Sequence, residues 1–518
     1  MGIPSYYKKL TRHNKGLVHK GRPCTPGWLL FDFNCLMYHV LRRPDMPAFR
    51  PDAPVAWENE FLEHIMKYTY KVIKQVGPTE GIYIAVDGVA PMAKIRQQRM
   101  RRFRGARDRR LIASQDQDQK PAWDTNALTP GTAFMDRLGA RLRKLAVDHA
   151  ALVPQWHISA ADEPGEGEQK LVAFVRSLPQ QPQQPQQPYI VYGLDADLIV
   201  LSLWTQAMSR TPPIWLFRED VEAGEIKRDS LGEEFFVWFS IDTLRVCLGL
   251  QNDAVLQDYC AAMMILGNDF LPTSLSFRIK DDGHDRLIDF VRGLGAERLW
   301  SRDGGLNAVV WVQLFAVLAG QEAAQIQMVI RKKLTLPAGD DAEDEPLRLK
   351  AERVLCGKDG RTLKDRWNEE YYLQAGCGDV GTICRRYLET MRWVVIYYTG
   401  MAPDGTDAKA SAEWYFPWAL PPLWSDLAIV LGMEGWGELR RGENEQALRP
   451  VEQLALVLPV ESWGLIPAGD PVARLPVIAP EWFPENFGIF SIGKRWLWEC
   501  EPEIPILTPA MMRGRCSE

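Results

Sequence analysis

The chain reads as an α/β protein with a largely parallel sheet, joined to a second, α-rich lobe packed on it. Three observations carry that reading. Between Trp28 and Leu275, short apolar runs alternate with stretches of helical period, the order of a sheet covered by helices. Several of these runs are continuously apolar and end on a carboxylate, as strands buried on both faces do. After about residue 290 the runs give way to long helical stretches such as Ala308–Leu334 and Arg385–Tyr398.

Gly2–Leu10, entered through Pro4 and Ser5, predicts a short helix. Trp28–Asp32 predicts a buried strand with Asp32 at its tip, followed by helices over Asn34–Leu41 and Trp57–Val76. Gly81–Val86 is a second strand, ending in Asp87. Pro91 opens a helix that reaches Arg110 and is punctuated by Gly105. Thr129–Thr132 predicts a cap for a helix to about His149, with Pro130 in its first turn. Trp156–Ser159 is a strand, and Glu163–Glu168 opens a helix through Arg176. Three PQQ repeats over Pro179–Pro188 predict a polyproline-prone surface loop. Tyr189–Tyr192, Ile214–Arg218 and Glu234–Ser240 complete the strands. The helices Leu198–Met208 and Tyr259–Leu266 lie among them, the second delivering Asn268 and Asp269. Farther on, Ala308–Leu334 and Leu347–Val354 predict helices around the acidic loop Ala338–Pro346, and the last hundred residues predict short helices and irregular loops. The expected partition is an α/β domain over 1–290, a helical connector with the acidic loop over 291–360, and the second α-rich lobe over 361–518.

The 518 residues carry a net charge of −6, which would argue against a nucleic-acid partner if it were evenly spread. It is not. Lys94 to Arg110 holds nine Lys/Arg and one acid, Asp108, and local field decides phosphate binding. Nine cysteines without a CxxC predict reduced thiols and no zinc site. No unbroken apolar run approaches the roughly 18 residues of a membrane span, and the N-terminus lacks a signal-peptide pattern. A soluble protein of the cytoplasm is expected, with the nucleus as the alternative.

Asp32, Asp87, Glu166, Glu168, Asp195, Asp197 and Asp269 each fall at a strand end or a Gly-marked turn. In an open parallel sheet such loops converge on one crevice. Crowded carboxylates repel and raise one another's pKa, and hard divalent cations relieve that. Oxygen-only ligands suit Mg²⁺, with Mn²⁺ as substitute, and two such ions serve phosphodiester cleavage. Lys94, Gln98, Arg101 and Arg102 share one helix face beside them, suited to holding a phosphate next to the metal.

GIPSYYKKL, LLFDFN, AVDGVAPMAKIRQQRMRRFR, LTPGTAFM, EPGEGEQKL, YGLDADLIVLSL and GNDFLP follow one another along the chain, and RYLETMRWVVIYYTG, EWYFPW, LVLP and WFPENF come after them. In that order they resemble the motifs of the Xrn family of 5′→3′ exoribonucleases, in a compact form without the long extension of many members. The resemblance implies a PIN/flap-nuclease-like catalytic domain, two divalent ions, and processive release of mononucleotides from single-stranded RNA bearing a 5′-monophosphate. It gives metal-ligand roles to the seven acids and 5′-phosphate binding to Lys94, Gln98, Arg101 and Arg102. It further implies a base-stacking residue on the Asp32 helix, either Tyr38 or His39, facing Trp414 from the second lobe. Two rivals stand against it. A flap-type DNA endonuclease would follow its last aspartate with a Gly-rich duplex-gripping segment, where this chain reads FLPTSLSFRIKDD after Asp269. A non-catalytic RNA 5′-end binder would have lost metal ligands, and all seven acids are present.

Overall fold

A computed structural model describes residues 3, 5–115, 121–179, 186–209, 211–222, 225–301, 305–335, 351–401, 408–437, 445–494 and 499–517. The acidic loop Ala338–Pro346, the first four residues of the Leu347–Val354 segment and residues 180–185 of the PQQ repeat lie outside them.

Seven strands, β1 (Val18–His19), β2 (Trp28–Asp32), β3 (Gly81–Ala85), β4 (Gln155–Ser159), β5 (Tyr189–Tyr192), β6 (Ile214–Glu219) and β7 (Phe236–Ser240), form one sheet in the order β1-β7-β6-β5-β2-β3-β4. The strands β4, β3, β2, β5 and β6 run parallel, with Trp28 level with both Gly81 and Tyr189. At the other edge β7 is antiparallel to β6, and β1 to β7. The carboxyl ends of the central strands therefore stand side by side.

Every residue of β2, β5 and β7 is buried, because helices cover both faces. Successive side chains point to opposite faces, and the core divides accordingly. Leu29, Phe31, Ile82, Ile84, Ile190 and Phe217 pack on one side; Leu30, Ala85, Val191, Leu216 and Phe239 pack on the other. The helices, in chain order, are α1 (Tyr6–His13), α2 (Asn34–Leu41), α3 (Pro54–Val76), α4 (Met92–Gln115), α5 (Ala133–Asp148), α6 (Gly167–Ser177), α7 (Asp197–Met208), α8 (Ile241–Cys247), α9 (Asp253–Met263), α10 (Gly283–Gly293) and α11 (Ala308–Leu334). Side chains of α2, α3 and α5 build the first layer. Those of α6, α7 and α9 build the second, which continues without a break into Val380–Thr399 and Trp424–Glu434.

Two expectations are corrected. Thr132 itself caps α5, its Oγ1 accepting from Met135 N at 3.4 Å, so Pro130 precedes the cap instead of filling the first turn. The segment Ala351–Leu355 is a 3₁₀ turn where the Leu347–Val354 pattern predicted a helix. Helix α11, 27 residues long with an 18-residue window of mean hydropathy 1.3, is long and apolar enough to cross a membrane although no unbroken apolar run is. Its Val310, Trp311, Leu314, Phe315 and Leu318 are buried, and the Phe315 ring stacks on Trp424 at 5.7 Å.

Helix α4 leaves the tip of β3 and runs into a third core. Its Met92, Ile95, Met100 and Phe103 pack among Leu454, Leu456, Leu458, Phe483 and Leu507.

Candidate active site

Strand β2 ends on Asp32. Its parallel neighbours β3 and β5 carry Asp87 and the Asp195/Asp197 pair just beyond their ends. The loop after β4 brings Glu166 to the N-cap of α6 and Glu168 into its first turn. Asp269 arrives from α9 through a tight turn in which Asn268 Oδ1 accepts from Phe270 N (2.9 Å) and Leu271 N (2.8 Å). Gly167 explains why a glycine separates the two glutamates. Its N–H donates to Asp87 Oδ1 at 2.7 Å, and a Cβ there would stand 2.8 Å from Asp32 Oδ1. The amino end of α6 can thus close on both aspartates.

The electrostatics follow from crowding. Burial, then Asp87 and Asp195, push the Asp32 carboxyl well above the usual range against the pull of Lys94. Burial and Asp197 do the same to Glu168. Burial followed by Asp269 and Asp195 pushes Asp197 up to about 7, and its Oδ1 is buried without a hydrogen-bond partner among the described residues. Lys94 Nζ stands among these acids, 2.5 Å from Glu166 Oε1 and 2.8 Å from Asp269 Oδ2. Burial works against its charge, but Asp269, Glu166 and Glu168 outweigh burial and hold its pKa well above the lysine value. Lys94 and then Arg101 likewise overcome burial at Asp269 and lower it to about 2.

A hard divalent cation fits this donor set: the ligands are oxygens, they exceed their cationic partners, and one buried oxygen has nothing to bind. As the side chains stand, no three His, Cys, Asp or Glu among the described residues are placed to hold a metal ion together. The ammonium of Lys94 fills the space between Glu166 and Asp269, so a metal would have to displace it.

The four phosphate candidates lie along one face of α4 and meet different surroundings. Lys94 is in the acid cluster. Gln98 is buried, with its Oε1 accepting from Gln453 Nε2 at 3.5 Å. Arg102 is buried, donates to Thr129 Oγ1 at 2.6 Å and is pushed down to about 10 by burial. Arg101 is half-buried, lies close enough to Asp269 to lower it, and lines a cavity.

Of the stacking candidates, Tyr38 is half-buried on the Arg102 side of the site. The structure turns His39 away. It is buried, bonds Glu234 Oε1 at 3.0 Å and packs against Tyr68, so a stacking role for His39 is corrected. Trp414 is 5% exposed and donates to Thr390 Oγ1 at 3.1 Å, with the Arg386 guanidinium 4.2 Å over its ring. A base would meet that ring only after Arg386 moved.

Sequence reading missed three positioning side chains. Asn34 grips Asp87, donating to Oδ2 (2.7 Å) and accepting from its N–H (3.1 Å); its place two residues after Asp32 was the available signal. Lys170 Nζ donates to Val86 O (2.8 Å) and Ala160 O (3.0 Å), tying the ends of β3 and β4. Tyr397 reaches in from the helix Val380–Thr399 and donates to Glu166 Oε2 at 2.5 Å. Nothing in the aromatic run around Tyr397 separates it from core residues.

A mostly parallel α/β sheet whose strand tips gather carboxylates has the architecture of a PIN-like domain. Comparison with known families narrows this class. The family model described as "XRN 5'-3' exonuclease N-terminus" matches residues 1–220, and that described as "Xrn1 helical domain" matches residues 323–510. The chain belongs to the Xrn family. It is 35% identical over 438 residues to a protein of Kluyveromyces lactis named 5'-3' exoribonuclease 2, covering 70% of this chain and 43% of that one. Proteins of the same name from Eremothecium gossypii (30% over 414 residues; 64% and 43%) and Saccharomyces cerevisiae (34% over 359 residues; 56% and 35%) are also similar. In each of these matches the aligned region spans less than half the length of the curated relative.

Proposed function

We propose that this chain is a processive 5′→3′ exoribonuclease that degrades single-stranded RNA bearing a 5′-monophosphate, with two divalent ions, Mg²⁺ or Mn²⁺, as cofactors. The observation that carries the proposal is the gathering of acids from adjoining strand tips, the amino end of α6 and the turn after α9, one with a buried oxygen unpartnered among the described residues, beside a cationic helix face. The name of the relatives supports it.

Asp32, Asp87, Glu166, Glu168, Asp195, Asp197 and Asp269 would hold the ions, which when bound supply an activated water and charge stabilisation at the leaving oxygen. The chain's own residues prepare that site. Asn34 and the Gly167 N–H fix both oxygens of Asp87, and Tyr397 fixes one oxygen of Glu166. Lys94, released from Glu166 and Asp269, would turn along its helix face toward a terminal phosphate, joining Arg101. A guanidinium and an ammonium side by side suit a terminal monophosphate dianion. Tyr38, on the Arg102 side, is the stacking residue we favour for the 5′ base. We place the protein in the cytoplasm, with the nucleus as the alternative, on the expectation from its nine cysteines without a CxxC that its thiols are kept reduced.

The test is to incubate purified protein and Mg²⁺ with matched 3′-labelled RNAs bearing a 5′-monophosphate, 5′-triphosphate or 5′-hydroxyl. Mononucleotides released from the monophosphate RNA alone are expected. Internal cuts, or cleavage that persists in EDTA, would contradict the proposal.

A further inference from the structure

Gln453, on the helix Pro450–Val457, comes from the second lobe and is fully buried. Both ends of its amide are used. Oε1 accepts at 2.8 Å from the N–H of Ala90, which lies between the tip of β3 and α4. Nε2 donates to Gln98 Oε1 at 3.5 Å. Gln98 is itself buried. Its own Nε2 makes no hydrogen bond among the described residues, yet that atom is not sealed from solvent.

These contacts fix a polarity. A backbone N–H can only donate, so Ala90 obliges Gln453 to present its amide oxygen there and leaves its NH₂ for Gln98. Gln98 must meet that NH₂ with Oε1, which directs its own NH₂ away from Gln453. An unconstrained amide in this place would do the reverse. Lys94 stands four residues before Gln98, and Arg101 and Arg102 three and four after it. Residues so spaced are neighbours on one helix face, and each of these three carries donors and no acceptor. A free Gln98 would turn Oε1 toward them and occupy donors that an anion needs. Held by Gln453, it adds a donor to theirs.

We propose that Gln453 is a positioning residue, which orients Gln98 so that the amide NH₂, and not the oxygen, faces a 5′-phosphate. The inference rests on the assignment of Gln98 to phosphate binding under the proposed function. It adds a residue of the second lobe that is itself sealed from the strand.

The experiment is a double-mutant cycle read as binding in EDTA. Two 3′-labelled RNAs of one sequence are compared, one with a 5′-monophosphate and one with a 5′-hydroxyl, and the ratio of their dissociation constants is followed. Gln98→Leu should lower the preference for the monophosphate about tenfold, and Gln453→Leu about threefold. In the Gln98→Leu background, Gln453→Leu should change the ratio no further, because its effect passes through an amide that is gone. A residue that only supports the fold would weaken both RNAs alike, in both backgrounds. Melting curves identify a variant that fails to fold, and methionine then replaces leucine at that position. An undiminished preference in the Gln453 variant, an equal loss in both backgrounds, or no preference in the unaltered chain would overturn the proposal. Cleavage with Mg²⁺ is followed on the same preparation. The expected cycle without cleavage supports the positioning role and counts against the nuclease, whereas cleavage with a flat cycle overturns the positioning role alone.

Discussion

Glu322, on α11, and Asp197, past the tip of β5, are almost equally buried carboxyls, at 4% and 3% exposure, but their neighbours differ. Glu322 has a single acidic neighbour, Asp426, among the causes that raise it, and both its oxygens are used: Oε1 accepts from Ser276 Oγ at 3.3 Å and Oε2 from Trp424 N at 3.0 Å. Burial pushes it up to about 8, and one proton settles the site. Asp197 has other carboxylates beside it, a lysine shared with them, and an oxygen with no partner among the described residues. Burial alone therefore does not mark a functional acid. An excess of buried negative charge over the donors available to it does.

The largest effect that would sharpen this contrast is at Asp197. Asp197→Asn removes a ligand charge at the proposed leaving oxygen, and cleavage should fall on the order of 10³-fold. Its melting temperature in EDTA should be equal to or above that of the unaltered chain, because a crowded charge is gone. A clear loss of stability in EDTA would show that Asp197 is held by structural partners, as Glu322 is.

The same contrast runs across α4. Arg99 is fully buried and donates to the carbonyls of Pro505 (2.9 Å), Leu456 (2.9 Å) and Trp482. Arg99→Met should cost roughly 2–3 kcal/mol of unfolding free energy by stranding those acceptors. Arg101, less than a turn away on the acid-facing side, has no such partners among the described residues. Arg101→Ala should leave urea unfolding unchanged and weaken action on 5′-monophosphate ends by about 1.5–3 kcal/mol relative to general strand binding. Equal losses on monophosphate and hydroxyl ends would make Arg101 part of a diffuse basic surface.

How much of this was legible in the sequence depends on what each residue's role rests on. The central strands and the positions of Asp32, Asp87, Asp195 and Asp197 at or just past their ends could be read because a buried strand is an unbroken apolar run and its tip is where polarity returns. The spacing of Lys94, Gln98, Arg101 and Arg102 gave their common face, since helical geometry is local. It could not give the rotamer that sends Lys94 into the acids, which depends on charges from the amino end of α6 and the turn after α9. Tyr397 and the fate of Trp414 were hidden for a similar reason. Both sit in aromatic segments that read as core, and only the packing of the helical half onto the sheet separates one that touches Glu166 from one that lies beneath Arg386.

A smaller effect tests the other half of the comparison. The folded-state pKa of Glu322 lies above its ordinary 4.5, so between about pH 4.5 and 8 the folded chain binds more protons than the unfolded one. Stability from this group is therefore present at low pH and lost as pH rises through that window, by up to about 1.4 kcal/mol for each pH unit inside it. Glu322→Gln should flatten the fall in urea-unfolding free energy between pH 5.5 and 8.5 without touching cleavage. An unchanged slope would mean that Glu322 titrates as an ordinary carboxylate.

That the sheet-tip acids form a divalent-cation site in the place Lys94 fills is tested most directly by titrating the metal-free chain with Mn²⁺ in a calorimeter. The melting temperature is followed alongside. Saturable binding is predicted, with a stabilisation of about 2.7 kcal/mol at a hundred times the dissociation constant, both sharply reduced in Asp197→Asn. No saturable heat, and a melting temperature the same in Mn²⁺ and in chelator, would contradict it.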